Sequence, residues 1–224
     1  MAVTSKNLLH FHRETLADRL VQLLQESIFS GKYPPESMIS ESGVSKEFGV
    51  GRVPAREALL RLEEMNLVRK NHLRREIVKL SPEEFAHLYD LKTAIESFGI
   101  IKGSLLATEG EIDAIKDILD TMDQATAQND IVQRRKLNQT FHVALVSCCK
   151  NQTLIDAYLP LTKQLRWTTS LMIQLPDRQQ ESNREHREIF TAFQQKKTDK
   201  LRKLIEKHAS DNVNRVLALM ESSE

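Results

Sequence analysis

Apolar side chains recur every third or fourth residue along most of this 224-residue chain. That spacing lays one face of an α-helix against a core. Leu16, Leu20, Leu23, Leu24 and Ile28 predict a first helix ending near Gly31, a residue suited to a helix C-cap. Tyr33-Pro34-Pro35 forces an extended link. Ser40 then opens a second helix as N-cap, with Glu41 in its first turn and Val44 and Phe48 facing inward. Gly49 closes it. Pro54 sits in a first turn, where the amides have no intrahelical partner to lose, and Ala55, Ala58, Leu59, Leu62 and Met65 carry the stripe of a third helix. After Leu67 the helical period breaks. Val68–Asn71 and Arg75–Lys79 predict two short strands around the tip His72-Leu73-Arg74-Arg75.

Ser81-Pro82-Glu83-Glu84 marks a boundary: an N-cap, a proline at the first helical position and two acids in the first turn. Everything beyond it reads as helix. The segments run from about Pro82 to Ala107, Glu111 to Gln128, Ile131 to Cys149, Gln152 to Leu175, Pro176 to Gln195 and Thr198 to Glu221. In the first of them Phe85, Leu88, Tyr89, Leu91, Ile95 and Phe98 are the expected core. The fold class is therefore mainly α. A flexible N-terminal arm (1–12) precedes a winged helix-turn-helix with a small β-hairpin wing (13–80), and residues 81–224 form an antiparallel bundle of about six helices.

Charge sharpens this division. The net charge is only +1, so a nucleic-acid site has to be local. Residues 1–80 hold 13 Lys/Arg against 10 Asp/Glu, and the remainder 19 against 21. Within the first 80 residues the basic stretch is Gly49–Lys79, with eight Lys/Arg against four Glu. Arg52 and Arg56, one turn apart at the leading end of the third helix, suit a major groove, and the basic hairpin suits its flanking phosphates. Cys148 and Cys149 are adjacent and point in different directions on a helix, so they are expected as core thiols in a reducing compartment. No apolar run reaches membrane-spanning length, and the N-terminus lacks a signal-peptide core; a cytoplasmic protein is expected.

The second and third helices resemble the DNA-binding domain of the GntR family of bacterial transcription regulators, whose pattern has the form L-x-E…GVSRTPVREAL-x-RLE-x-x-GLV. Here it reads Ile39-Ser40-Glu41, then Gly49-Val50-Gly51-Arg52-Val53-Pro54-Ala55-Arg56-Glu57-Ala58-Leu59, Arg61-Leu62-Glu63 and Leu67-Val68. The resemblance implies operator contacts from Arg52 and Arg56. Gly51 stands where a phosphate-touching Ser/Thr is usual, and Val53 where Thr is common. The wing lacks its usual glycines and offers His72, Arg74 and Arg75 instead, so arginine contacts are expected to carry more of the binding.

Asn138 and His142 share a face of the third bundle helix, and single histidines follow at His186 and His208 on the last two. Their ring nitrogens and the Asn/His pair could converge on one cation, leaving positions open for water or an organic acid. This half resembles the effector domain of the FadR subfamily of GntR regulators, called the FCD domain. Many members carry D-x-x-x-H on one helix and single histidines on the last two, holding a divalent metal, often zinc or nickel. The resemblance implies metal ligands at Asn138, His142, His186 and His208, with a neutral Asn in place of Asp and hence weaker hold on a dication. It also implies a small carboxylate effector. Lys92, where many relatives carry Arg in R-x-x-x-E, Glu96 after it, and Arg166 beside Trp167 are the candidate effector contacts.

The leading expectation is a metabolite-responsive repressor. A homodimer sits on double-stranded operator DNA and changes its affinity when the helical domain binds a small organic acid. One alternative is a constitutive regulator with a structural, metal-free dimerisation domain. A more remote one is a helical-bundle metalloenzyme, for which no Glu or Asp is tied by motif to the three histidines as general base.

Overall fold

The computed structural model describes residues 15–72, 74–172 and 176–221, with the side chains of 166–172 and 176–177 outside that description. The expected arm at 1–12 and Leu73 of the wing tip also lie outside it. The chain divides into two compact units, Met1–Val78 and Lys79–Glu224.

In the first unit the described helices are α1 (Leu16–Phe29), α2 (Glu41–Phe48) and α3 (Arg52–Glu64). The strands are β1 (Met38–Ile39), β2 (Val68–Asn71) and β3 (Arg74–Ile77). Thr15 caps α1 in a reciprocal box with Asp18. Ser40 caps α2, accepting from the Gly43 amide, and Gly49 ends it at φ 64°, a conformation glycine adopts without a Cβ penalty. Leu20, Leu24 and Ile28 of α1 meet Ala55, Ala58, Leu59 and Leu62 of α3 in a fully enclosed core. Asp18 of α1 accepts from Arg61 of α3 at its edge.

The wing has one strand more than expected. The segment after Pro35 is not merely a link: Met38–Ile39 pairs antiparallel with β3, giving the order β1-β3-β2 with Met38 opposite Glu76 and Val68 opposite Ile77. A two-residue strand is too short to show an alternating pattern. The expected strand Arg75–Lys79 lies one residue earlier at its start and ends at Ile77, because β2 and β3 turn tightly at His72, whose φ is 56°.

The second unit holds α4 (Pro82–Leu106), α5 (Glu109–Ala127), α6 (Ile131–Ser147), α7 (Gln152–Met172), α8 (Pro176–Gln194) and α9 (Thr198–Glu221). Capping boxes at Ser81/Glu84 and Thr108/Glu111 set the starts of α4 and α5. Asn129 and Lys150 adopt positive φ in the short turns that follow α5 and α6. The core joins Ile115, Leu119, Phe141, Leu145, Phe193 and Ile205, all essentially inaccessible. Cys148 and Cys149 are buried and unbridged.

α4 departs from the expected core. Phe85 and Tyr89 are buried, but Leu91 and Phe98 face outward, 50% and 57% exposed, in line with Leu105. The inward positions are instead Lys92, Glu96, Ser97, Gly99 and Ile100. The reason is that α4 is apolar on two sides, so spacing alone could not say which side the bundle covers. Gly103 lets α4 approach α6 closely: an added Cβ would lie 2.7 Å from the Leu145 carbonyl and 3.0 Å from the Cys148 Cβ.

Gly103→Ala is therefore expected to destabilise the bundle by about 1–3 kcal/mol, because backbone cannot move aside as a side-chain tip can. Gly110 of α5 has nothing within 4 Å of an added Cβ, so Gly110→Ala is expected to be neutral or to stabilise by up to about 1 kcal/mol. Urea unfolding of the two variants beside the parent checks the opposite signs.

Candidate functional site

The first unit presents one end of α3 to solvent. Gly51 is the N-cap and makes no side-chain cap bond, so the first amides of α3 remain open to an acceptor such as phosphate. Arg52, Val53 and Arg56 are exposed, Val53 at 78%. Among the described residues no carboxylate forms an ion pair with Arg52 or Arg56. Arg52 shares a shallow groove with Met38, Ser40, Ser42 and Arg74, between the start of α2, β1 and the wing. His72 and Arg74 are exposed at the wing tip.

Arg75 is placed differently from its neighbours. Its guanidinium is largely buried and donates to Glu63 of α3 and, at 3.0 Å, to Glu41 of α2. It clamps the wing to both helices and has no free donor edge comparable to that of Arg74. Glu76 beside it is buried and accepts from Arg69 at 2.6 Å and Asn71 at 3.0 Å. Sequence spacing cannot separate Arg74 from Arg75; the alternation of a strand does, since neighbours point to opposite faces.

The second unit brings the three histidines together. His142 of α6, His186 of α8 and His208 of α9 are buried, with one ring nitrogen of each within 4.8 Å of the others. Ring centroids lie 5.0 Å apart for His142 and His186, 5.4 Å for His142 and His208, and 4.9 Å for His186 and His208. His142 Nδ1 faces Glu96 Oε1 at 2.9 Å, and His208 Nδ1 is bonded to Glu185. Carboxylates placed in this way fix a ring and leave its other nitrogen to face a ligand; the His208 contact is a hydrogen bond, while His142 Nδ1 approaches Glu96 closely without hydrogen-bond geometry. His208 Nε2 has Asn212 Nδ2 at 3.2 Å. His186 is fully inaccessible, and neither of its ring nitrogens has a hydrogen-bond partner.

Burial pushes His186 far below the ordinary histidine range, helped by the neighbouring histidines. It also pushes His208 down to about 4 despite the pull of Glu185. Both are neutral at pH 7, the form that ligates a metal. Two orphaned nitrogens in a dry cluster are costly unless something fills the space between the rings. The donor set of imidazoles fits a divalent transition metal. Asn138, one turn before His142, lines the same cavity.

Around the cluster lies a cavity of about 110 Å³. At about 30 Å³ for each water that is room for roughly four, the scale of a small organic acid and not of a long acyl chain. Lys92 lines it but is not free: its Nζ donates to Glu96 Oε2 at 2.5 Å. Glu96 also accepts from Tyr158 Oη at 2.6 Å. Burial raises the Glu96 carboxyl, yet Lys92 and His142 outweigh that and hold it well below the carboxylate range. Glu96 therefore orients His142 and anchors Lys92 instead of facing the cavity as an effector contact. Arg166 belongs to α7, but its side chain lies outside the described ones.

Three further cations line the cavity that sequence reading missed: Arg134, Arg135 and Arg178. Arg178 is held by Glu185 in a two-pronged pair at 2.7 and 2.9 Å and donates to Asn212 at 2.7 Å. Arg134 donates from Nη2 to the Gln179 carbonyl and to Asn183 Oδ1, both at 3.1 Å. Burial, and Arg178 nearby, push Arg134 down to about 10. A signal existed for Arg134: it precedes Asn138 and His142 at i, i+4, i+8 and so shares their face. Glu185 next to His186 offered no such signal, since sequence neighbours on a helix diverge.

Among the described residues no helix is long and apolar enough to cross a membrane. Residues 16–75 match the family described as bacterial regulatory proteins, gntR family, and residues 87–211 match the FCD domain. The HTH-type transcriptional regulator YdhC of Bacillus subtilis (strain 168) is 24% identical, over 90% of this chain and 91% of its own. The Uxu operon regulator of Haemophilus influenzae is 27% identical, over 85% and 77%. The E. coli McbR/YncC structure superposes with a TM-score of 0.79 at 16% identity, covering 90% of this chain and 97% of that one. A putative GntR regulator from Rhodococcus sp. RHA1 reaches 0.76 at 20%, over 90% and 97%. The family and its relatives are transcription regulators, not enzymes. An open-ended arginine helix on a winged domain and a histidine-walled cavity in a helical one are thus the two working parts of a DNA-binding transcription regulator: the chain belongs to the GntR family and carries an FCD effector-binding domain.

Proposed function

We propose that this chain is a metabolite-responsive repressor of the FadR subfamily, in which a divalent metal on His142, His186, His208 and Asn138 receives a small organic acid. The observation that carries the reading is the pair of unpartnered nitrogens on His186, fully buried between two rings already oriented by Glu96 and Glu185. Imidazole donors suit zinc or nickel. With no carboxylate among the four ligands the site keeps its full positive charge, which favours an anionic ligand. When bound, the metal supplies a Lewis-acidic point for a carboxylate oxygen. The chain's own part is to hold the rings through Glu96 and Glu185 and to keep His186 dry. Relatives of Bacillus licheniformis and Bacillus subtilis named as gluconate operon transcriptional repressors support repression. The effector acts by binding two conformations unequally.

Dimerisation through the helical unit is part of this reading. It is supported by Leu91, Phe98 and Leu105, which form an exposed apolar line on α4. Two winged units then address two half-sites of an operator.

On DNA, Arg52, Val53 and Arg56 read base edges, while Gly51, His72 and Arg74 lie along phosphates. Arg56→Ala is expected to weaken operator binding by about 1–3 kcal/mol and relax one base pair of specificity. Arg74→Ala is expected to weaken specific and random DNA alike, with stability unchanged and a shallower salt dependence. Arg75→Ala is expected to lower stability by about 1–2 kcal/mol through loss of its bonds to Glu63 and Glu41. Fluorescence anisotropy at several salt concentrations, beside urea unfolding, separates the three. Equal losses of Arg56→Ala on operator and random DNA would show that Arg56 touches only phosphate.

Elemental mass spectrometry of the purified protein tests the metal. Near-stoichiometric zinc or nickel in the parent, lost in His142→Ala, is expected. No metal in either, after incubation with both ions, would leave the constitutive regulator as the reading.

A further inference from the structure

We infer that the effector is a small acid with two separate acidic groups, the second held by Arg134. This rests on the metal-and-acid reading above and assigns the other end of the same ligand. Arg134 is 2% exposed, lines the cavity, and has an Nε with no hydrogen-bond partner. Its direct neighbours satisfy part of the guanidinium with neutral acceptors, Gln179 with a carbonyl and Asn183 with an amide oxygen, and the nearest acid, Asp123, acts on it only at a distance, behind Asn183. Arg135 lines the cavity too, and the contrast with the remaining two cations is the argument. Lys92 is paired with Glu96, and Arg178 with Glu185. Among the described residues no carboxylate forms an ion pair with Arg134. A buried guanidinium left in that state is costly, and an anion arriving from the cavity relieves it.

Position fixes the geometry of the ligand. Arg134 and His142 lie two turns apart on one face of α6, about 12 Å along the axis at 1.5 Å per residue. Asn138 stands between them. On α8 the same two levels repeat, with Gln179 and Asn183 beside Arg134 and His186 beside His142. An acid group that meets the histidines sits at one level, and Arg134 is left for a second group at the other. A second acidic group on a short chain reaches it at Nε, the donor left without a partner, since Nη2 is taken by Gln179 and Asn183. A dicarboxylate is the simplest such ligand, and the modest cavity limits its length.

The test uses the full chain loaded with zinc and titrated calorimetrically with succinate, glutarate and adipate, each beside the monoacid of equal carbon number. Expected is a preference of roughly 10- to 100-fold for at least one diacid over its monoacid. Arg134→Gln is expected to erase that preference while leaving monoacid affinity and zinc content unchanged. A parent that binds diacids and monoacids equally overturns the inference, as does a preference that survives Arg134→Gln. If Arg134→Gln does not fold, Arg134→Lys carries the comparison: the charge stays, the Nε donor is lost, and the preference is expected to fall. An undiminished preference there overturns it. Zinc is measured on every sample, and the titrations are repeated on zinc-free protein. Absence of zinc defeats the metal reading alone, and a diacid preference that still requires Arg134 upholds this one.

Discussion

The ionised carboxylate of Glu96, shut away from water, is what the helical unit is arranged to satisfy. A lone carboxylate in that position would be untenable, so three partners from three helices converge on it: Lys92 on its own helix, His142 from α6 and Tyr158 from α7. Each partner is useful for something else. Lys92 and Tyr158 line the cavity, and His142 faces the other two histidines. One charge thus sets the spacing of α4, α6 and α7 and the direction of an imidazole ring together. Glu185 plays the same part on the far side, taking His208 and Arg178 at once.

The winged unit rests on a simpler device. Its core is aliphatic and closed, and the polar work is done by clamps at the edges, Asp18 to Arg61 between α1 and α3 and Arg75 to Glu41 and Glu63. Since those arginines are committed, the residues left for a partner are the ones without acids nearby. That sorting by occupancy, and not by residue type, separates Arg75 from Arg74 and Arg52.

Most of the architecture was legible in the sequence, because caps, proline positions and the 3.6-residue period act within one or two turns. Ser40, Gly49, Ser81 and the stripe through Ala55–Leu62 mark their elements from local chemistry alone. The meeting of His142, His186 and His208 was legible only through likeness to a family, since three helices far apart in sequence have no local reason to converge. What escaped depends on the environment. Leu91 and Phe98 carry the right period for a core, but a helix apolar on two sides does not declare which side is covered. Arg134 and Glu185 escaped because packing between helices, and not spacing, decides which charges are enclosed. The strand Met38–Ile39 is two residues long and exists through its partner β3.

α4 has a consequence for how a signal could leave the cavity. Lys92 and Glu96 sit on its inner side, Leu91 and Phe98 on its outer side, and Gly103 seats it against α6 with no slack. A helix turns and slides as a rigid shaft. Any turn of α4 about its axis would carry Leu91 and Phe98 through the same angle as Lys92 and Glu96, so the exposed apolar line and the buried site cannot be reset independently by such a turn.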